Sequence, residues 1–290
     1  MAKTSKKKKK KSTDPERAAR NRMIAILSAA VLGTGAVFVG AGMGVKTLDE
    51  RAQDLVAPGE IEYEIVWGAS KSGTIWLPFS ERTRLNALVR ESLVGARPLS
   101  REPLQEASLA IASTGWVNGA PRARWTPEGT IVVRADWRVP AAAVLIDGEE
   151  VLVDWEGHVL PLSYPKGSSN QFQISNTALP DPGVGRLWDE PELRDALRLL
   201  RELRDRDLLA QITGIDLGNG RDHGILKLMT NSGATIVWGG GPGRERPAEM
   251  PTDVKLDRIE SLLRKTGRID ASMASVDVRG PQVLMNRREN

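Results

Sequence analysis

The chain has 290 residues, of which 41 are Lys or Arg, 37 are Asp or Glu, two are His and none is Cys, so its formal charge is +4. That length fits one or two globular domains with a sizeable core. The absence of cysteine excludes disulfide scaffolds, thiolate zinc sites, iron–sulfur clusters and thiol nucleophiles. Two histidines leave little material for metal or triad chemistry, and we expect no cofactor.

The positive charge is confined to one end of the chain. Residues 1–22 contain ten basic and two acidic residues, giving +8, and the other 268 residues therefore carry −4. The pI near 9.4 would indicate nucleic-acid binding only if the charge lay on the folded part of the protein. We therefore interpret residues 1–22 as a basic tail and expect no nucleic-acid partner.

An uncharged segment follows at residues 23–45. As a helix it spans about 35 Å, enough to cross a hydrocarbon core of about 30 Å. It is longer than the apolar region of a secretory signal and lacks a convincing cleavage site, so an uncleaved single-pass anchor is favoured over a cleaved signal. The flanking charges place the tail in the cytoplasm and the body outside the membrane. The lysine run either sets this topology alone or also contacts anionic headgroups.

Within the predicted span, Ala36, Gly40 and Gly44 recur every four residues. Small side chains at this spacing let a second membrane helix approach closely. Because small residues are common in membrane helices, partner packing and a merely permissive role both remain open.

The patterns after the span predict an α+β body. A linker at 46–58 precedes a module at 59–140 with the order β-α-α-β-β: a strand at 61–67, helices capped by Ser80 and Ser100, and strands at 117–125 and 130–137. Two helices on one face of a three-stranded sheet would complete this module.

Residues 141–286 predict a second, β-rich domain with two flanking helices, followed by a short tail at 287–290. Short strands at 143–146 and 150–154 precede a long loop at 167–185. A capping box at Asp189 and Glu192 predicts one helix, and Thr252 opens another that ends at Gly267. Strands are expected at 212–217, 225–229, 235–238, 274–279 and 282–285.

None of the chemically suggestive groups predicts an active site. The glycines at 239–243 lack the Gly-Lys-Ser/Thr of a phosphate loop, and Asp216 and Asp222 lack the other ligands of a calcium loop. Asp154 and Glu156 flank a glycine turn, where acidic residues are common. His158 and His223 have no evident partner acid or nucleophile, and the eight tryptophans fit a core better than a ligand platform. We expect no catalytic residue, metal site or small-molecule substrate.

The order of these segments resembles the FtsQ/DivIB-type bacterial cell-division proteins, over residues 1–286. The strings that carry the resemblance are GWV at 115–117, ARWTP at 123–127, TIVVR at 130–134, DWRVPA at 136–141, LVDWEGHV at 152–159, GATIVWG at 233–239, RID at 268–270 and SVDVR at 275–279. The family implies a POTRA domain at 59–140 and an FtsQ-type β-domain at 141–286. The first strand departs from the family pattern and continues into an extra segment around 70–80.

The resemblance also implies a partner site. In this family the last strands of the β-domain present an edge to a peptide from FtsB/FtsL-type subunits. The corresponding residues here are Val276, Asp277, Val278, Arg279, Gln282, Val283, Leu284 and Met285. Alternating apolar positions allow such a strand to bury one face and accept a partner strand by backbone hydrogen bonds. An internal strand already paired on both sides is the alternative.

Three functions remain open on the sequence. A non-enzymatic scaffold of the division machinery is favoured, with localisation at the septum. A POTRA-type chaperone or transport-associated protein that binds extended chains is the second. A membrane-anchored hydrolase that uses Asp154 and Glu156 is the third.

Overall fold

The computed structural model describes residues 61–70 and 73–287. The predicted basic tail, the span at 23–45 with Ala36, Gly40 and Gly44, and the linker at 46–58 lie outside the described residues. Among the helices that are described, none has the length and apolar character needed to cross a membrane. Residues 61–96 and 101–287 belong to one compact unit, which contains every helix and strand of the described chain.

The first part of this unit confirms the predicted β-α-α-β-β order. The elements are β1 (Tyr63–Val66), α1 (Phe79–Ser92), α2 (Glu102–Ala112), β2 (Val117–Trp125) and β3 (Ile131–Trp137). Its sheet has the order β1-β3-β2, with β1 parallel and β2 antiparallel to β3. Ile131 and Val133 are buried, whereas Arg134 and Asp136 are exposed, as expected for a sheet covered on one face.

A nine-stranded sheet and two helices make up the rest, so the α+β class is confirmed. The strands are β4 (Pro140–Ile146), β5 (Glu149–Asp154), β6 (Val159–Pro165), β7 (Gln173–Ser175), β8 (Ile212–Asp216), β9 (Leu226–Thr230), β10 (Thr235–Gly239), β11 (Ser275–Asp277) and β12 (Leu284–Asn286). The order of these strands in the sheet is β12-β11-β10-β9-β8-β7-β4-β5-β6. The helices are α3 (Pro191–Asp205) and α4 (Thr252–Thr266).

Three predicted helix caps are wrong. Helices α1, α2 and α3 begin after Pro78, Arg101 and Glu190, and none has a side-chain cap hydrogen bond. For α2 and α3, proline explains the shift, because its fixed φ suits the first helical turn and it has no N–H that needs a cap. Helix α2 has Pro103 and α3 has Pro191 in that turn. In contrast, α4 begins at Thr252, and Gly267, with φ +74°, caps its C-terminal end, as predicted.

The interpretation of 167–185 as one long loop is wrong. Strand β7 lies within it and pairs in parallel with both β4 and β8, so it joins two halves of the sheet. Ile174 is fully buried. Gly214 of β8 permits this pairing, because a Cβ there would lie 2.3 Å from the Gln173 carbonyl oxygen. A three-residue strand surrounded by Gly, Ser and Asn carries no readable periodicity.

Two hydrophobic cores stabilise the unit. Helices α3 and α4 pack on the nine-stranded sheet, and Trp188 and Trp238 are fully buried there. Trp116 is buried in the core of the three-stranded module. For these three tryptophans the predicted core role is confirmed.

The two sheets share the smaller core and a buried ion pair at their junction. Ala143, Leu152 and Leu160 of the large sheet pack with the core of the three-stranded module. Arg138 lies between β3 and β4, and its Nη1 pairs with Asp154 of β5. The Arg138 backbone N–H donates to the Trp116 carbonyl at 2.9 Å, and its Nε donates to the Val117 carbonyl at 3.1 Å. One arginine therefore links both sheets.

Candidate partner-binding edge

The two strands that the sequence assigned to the partner edge occupy different places in the sheet. Strand β11 is internal, with β10 parallel to it on one side and β12 antiparallel to it on the other. Strand β12 lies at the end of the sheet. Met285 is opposite Val276 and Leu284 is opposite Asp277. The backbone available for a further strand therefore belongs to β12.

The eight predicted partner residues divide by exposure. Val276 and Val278 are fully buried, and Val283 packs partly buried against the same core. Leu284 is 61% exposed and Met285 is 40% exposed, although the alternating pattern had grouped Met285 with the buried valines. Gln282 is also exposed, and Asp277 and Arg279 are half-buried. Of the eight residues, the exposed ones are therefore Leu284 and Met285 of β12 and Gln282, which lies just before this strand.

A cleft of about 490 Å³ lies beside this edge. One wall comes from the segment before α4 and the other from the turn that connects β11 to β12. Its lining residues are Arg246, Pro247, Ala248, Glu249, Asp277, Arg279, Gly280, Pro281, Gln282 and Leu284. Four of the eight residues predicted from sequence therefore line this cleft. The wall at 246–249 had no signal in the sequence, because it meets β12 only in three dimensions.

Asp277 and Arg279 form an ion pair in the cleft wall, with 2.6 Å between Arg279 Nη2 and Asp277 Oδ2. Burial opposes ionisation of Asp277, but hydrogen bonds from the Arg279 side chain and backbone outweigh it, so the pKa of Asp277 is below its usual value. The hydrogen bond to Asp277 raises the pKa of Arg279. Both groups are therefore charged at neutral pH.

A buried ion pair holds Glu249, one of the residues that line the cleft. Lys255 of α4 is fully buried, and its Nζ lies 2.8 Å from Glu249 Oε2 and 5.2 Å from the centre of the Trp238 ring. The same carboxylate accepts a hydrogen bond from the Gly240 N–H at 3.0 Å. Glu249 is thus held by a charge from α4 and by the backbone that follows β10.

Two of the glycines at 239–243 allow this packing. Gly239 has φ +97°, and a Cβ there would lie 2.4 Å from the Glu249 carboxylate. A Cβ on Gly241 would lie 2.3 Å from the Asp195 Cβ. The glycine run therefore lets the chain pass between two carboxylate side chains.

Arg258 of α4 holds the turn between β11 and β12. Its Nη1 donates to the carbonyls of Val278, at 2.9 Å, and Gly280, and its Nη2 donates to the Pro281 carbonyl at 2.7 Å. Three carbonyls from one short turn are thus bound by a single guanidinium. The edge strand is fixed by α4 as well as by its ladder with β11.

Asp270 anchors the segment that leads from α4 into β11. It is fully buried, and it accepts hydrogen bonds from Arg268, Ser232, Thr230 and the Ser272 N–H. The Arg268 hydrogen bonds, followed by those of the serine and threonine donors, hold the pKa of Asp270 well below its usual range despite burial. The folded state therefore favours the charged form of Asp270.

We expect stability to fall in acid through Asp270. Its pKa is lower in the folded chain than the value of about 3.9 in an unfolded chain, so its contribution is complete above that value and is lost as pH falls toward the folded pKa. Asp270→Asn is expected to cost about 1.5–3 kcal/mol at neutral pH. Urea unfolding measured from neutral to acidic pH should show that the difference in free energy of unfolding between the unchanged protein and Asp270→Asn becomes smaller below about pH 5. A gap that widens in acid would contradict this assignment.

The carboxylates considered for catalysis do not converge. Asp154 is buried, pairs with Arg138 and accepts the backbone N–H groups of Glu156 at 3.0 Å and His158 at 2.7 Å. The Glu156 side chain is exposed and lies 3.8 Å from Arg201. Asp154 therefore stabilises the turn instead of pairing with Glu156 at a shared site.

Both histidines have acidic neighbours that the sequence did not reveal. His158 Nδ1 lies 3.3 Å from Asp154 Oδ2, and His223 Nε2 lies 3.8 Å from Glu192 Oε1. No group of three or more metal-ligating side chains occurs among the residues that the structure describes.

The two aspartates considered for a calcium loop have other roles. Asp216 accepts from the Gly218 N–H at 2.7 Å, as a turn residue does. Asp222 pairs with Lys227 at 2.7 Å. Both carboxylates are thus engaged by groups of the chain itself.

Comparison with known proteins gives a structural similarity and no match by sequence. No family model matches the chain, and no curated protein matches it. Among solved structures, the chain is similar to the major extracytoplasmic domain of the trans isomer of the bacterial cell-division protein DivIB from Geobacillus stearothermophilus. The sequence identity is 14%, the TM-score is 0.26, and the match covers 35% of this chain and 77% of that one.

Proposed function

We propose that the chain is a non-enzymatic, single-pass membrane scaffold of the bacterial division machinery. Its N-terminus is in the cytoplasm, its folded body is outside the cell (inner) membrane, and it collects at the division septum. The body binds an FtsB/FtsL-type subunit through strand addition, and the predicted span pairs with other division proteins through Ala36, Gly40 and Gly44. The ordered strings of the family resemblance support this proposal.

One observation of the structure carries the partner site: β12 ends the large sheet with two exposed apolar side chains. Two other sheet ends are protected. Strand β2 contains Pro121 and an irregular register between Asn118 and Arg122, and β6 contains Pro161 and ends at Pro165. Proline and irregular pairing are typical protections against strand addition. Strand β12 has neither device within its three residues.

The segment beside β6 adds a further contrast. The Val159 N–H donates to the Arg186 carbonyl and the Val159 carbonyl accepts from the Gly185 N–H, so part of that edge is already bonded. A partner strand beside β12 would meet no such segment among the described residues. Leu284 and Met285 would lose solvent contact on binding, and the neighbouring cleft would take side chains of the added chain.

The contacts of the two candidate catalytic acids, Asp154 and Glu156, support the proposal that the chain is not an enzyme. Asp154 is committed to Arg138 and to the turn at 154–158, and Glu156 points to Arg201 at the surface. Replacing Asp154 and Glu156 with Asn and Gln tests the hydrolase alternative, since loss of function without loss of fold would support it.

The edge is tested by a double substitution that leaves the backbone free to pair. Leu284→Lys with Met285→Lys is expected to weaken capture of the FtsB/FtsL-type subunit at least tenfold, because two exposed apolar side chains no longer become buried. The matched control is Leu109→Lys with Val94→Lys, where the two side chains are 62% and 80% exposed. The control adds the same charge and should bind normally. Equal binding by both doubles would contradict the assignment.

A proline substitution tests the backbone itself. Met285→Pro removes an N–H of β12 that points away from β11 and should also weaken capture. Leu284 lies opposite Asp277, and Asp277 bonds toward β12 because its neighbour Val278 bonds to β10, so Leu284→Pro would interrupt the ladder with β11. Asp277→Pro is a test of folding instead, because β11 is internal and proline there interrupts a ladder between two other strands. Circular dichroism distinguishes a folded variant from an unfolded one.

The second candidate, a POTRA-type chaperone or transport protein, uses the same edge. Backbone hydrogen bonds from β12 would accept extended chains of many sequences. Depletion separates the two functions, since filamentous cells indicate a division role and secretion defects indicate the alternative. A fluorescent fusion that fails to collect at the septum would contradict the division role.

A further inference from the structure

Three exposed arginines lie close together on the three-stranded sheet. Arg122 and Arg124 lie on β2 and Arg134 lies on β3, and all three are exposed. The register places Arg122 directly opposite Arg134. Like charges at directly opposed positions destabilise an antiparallel pair. The fold therefore keeps together charges that folding alone disfavours. We call Arg122, Arg124 and Arg134 the arginine face.

The arginine face lacks internal partners. Among the described residues, none of these three side chains has a hydrogen bond or ion pair. Arginines elsewhere in the unit use neighbouring acids: Arg206 contacts three carboxylates, and Arg194 lies 3.4 Å from Asp189. The same sheet also carries acids: Glu64 of β1 lies opposite Val132, and the exposed Asp136, two residues from Arg134 on β3, accepts a hydrogen bond from the Asn118 side chain at 3.3 Å. The basic half of this sheet face lies toward the β2 edge.

The shape of the arginine face selects a flat partner. Helices α1 and α2 pack on the other side of the sheet, where Ile131 and Val133 are buried. The arginines project from two adjacent strands of an open sheet, so they can meet several anionic groups that lie in one plane. A bilayer surface offers such an array, whereas a peptide strand presents its charges along a single line.

The short separation along the chain between the predicted span and β1 also favours a bilayer as the partner of the arginine face. Seventeen residues separate the end of the predicted span at Val45 from the start of β1 at Tyr63. A chain of that length can extend at most about 60 Å. The three-stranded module is thus the folded part that the anchor restricts most closely to the membrane.

We infer that the arginine face binds anionic phospholipid headgroups of the bilayer that holds the predicted span. This inference rests on the membrane anchoring in the proposed function. Each arginine near an anionic surface contributes electrostatic attraction that salt screens. Contact through this face would fix the orientation of the first folded module on the membrane.

Site-specific labelling tests the contact in the full chain, which has no native cysteine. A fluorophore is attached at Ala120→Cys on β2, or at Leu109→Cys on α2 as the control position. The chain is placed in nanodiscs of phosphatidylcholine, with or without phosphatidylglycerol, that carry a nitroxide-headgroup quencher. We expect phosphatidylglycerol to increase quenching at Ala120→Cys but not at Leu109→Cys, and an increase in salt from about 0.1 M to about 1 M to remove the effect.

Matched arginine substitutions assign the effect to the face. Arg122→Gln, Arg124→Gln and Arg134→Gln together should lower the contact equilibrium constant about a hundredfold, or about fivefold per arginine. The control is Arg90→Gln, Arg101→Gln and Arg186→Gln, which removes the same charge at exposed positions whose side chains form no ion pair among the described residues. The control should leave the phosphatidylglycerol effect unchanged.

The outcomes separate this inference from the proposed function. A chain that does not co-purify with the nanodisc overturns the anchor, and with it both proposals. The chain can also insert in the nanodisc while quenching at Ala120→Cys does not depend on phosphatidylglycerol, or depends on it equally in both triple variants. Either result overturns the lipid contact of the arginine face and leaves the proposed function standing. If the arginine face binds a polyglutamate peptide and quenching shows no phosphatidylglycerol effect, the lipid assignment is overturned. The ligand of the face would then be an acidic protein segment.

Discussion

Replacing Arg138 with alanine is expected to lower the free energy of unfolding by about 3–5 kcal/mol. The substitution leaves Asp154 charged and buried without its arginine partner. It also removes the donor to the Val117 carbonyl. Because Arg138 joins the two sheets, the loss of its side-chain contacts should destabilise both sheets. Urea unfolding followed by tryptophan fluorescence measures the effect.

A surface ion pair provides the control for Arg138. Arg194→Ala removes a pair with Asp189 in which both side chains are largely exposed, and it should cost about 0–1 kcal/mol. Arg138→Lys is expected to recover little, because one ammonium cannot reproduce the separate donors to Asp154 and Val117. Equal losses for Arg138→Ala and Arg194→Ala would show that the junction pair does not stabilise the fold.

Lys255→Met is expected to have a similarly large effect, about 3–5 kcal/mol, for the same physical reason. Methionine fits the space of the lysine stem but leaves the Glu249 carboxylate buried without a cation. The carboxylate would still accept the Gly240 N–H. Urea unfolding at neutral pH measures the loss.

The double variant Glu249→Gln with Lys255→Met separates charge from packing. Glutamine keeps an acceptor for the Gly240 N–H, and no uncompensated charge remains in the core. We expect most of the lost stability to return, because replacement of a whole buried pair is often close to neutral. If the double variant is less stable than Lys255→Met alone, the lysine contributes through packing rather than through charge.

Local patterns predicted the helices α3 and α4 well and the beginning of α3 less well. The buried stripe of α3 includes Leu193, Leu197 and Leu200, which the 3.6-residue period identifies without any tertiary information. The predicted cap, Asp189, failed because the helix begins at Pro191, so Glu190 occupies the cap position. The Glu190 side chain accepts a hydrogen bond from the Ala178 N–H and does not cap the helix. A cap depends on which donor the side chain actually reaches, and that donor can lie far away in sequence.

Parts of the candidate site were accessible from sequence, and parts were not. The resemblance directed attention to the last two strands, and Leu284 and Met285 do lie at the end of the sheet. The cleft wall at 246–249 and the clamp from Arg258 had no local signal, because both act on residues contributed by another segment. The arginine face was likewise invisible until the register placed Arg122 opposite Arg134.

The sequence by itself determined the charge division of +8 and −4, the uncharged segment at 23–45, the α+β class and the order of most elements. These features depend on composition and on periodicity over neighbouring residues. Tertiary structure decided which strand is an edge, that β7 joins the halves of the sheet, and which buried charges are paired. The physical reason is that strand pairing and burial join residues distant in the chain, and a local pattern cannot specify their partners.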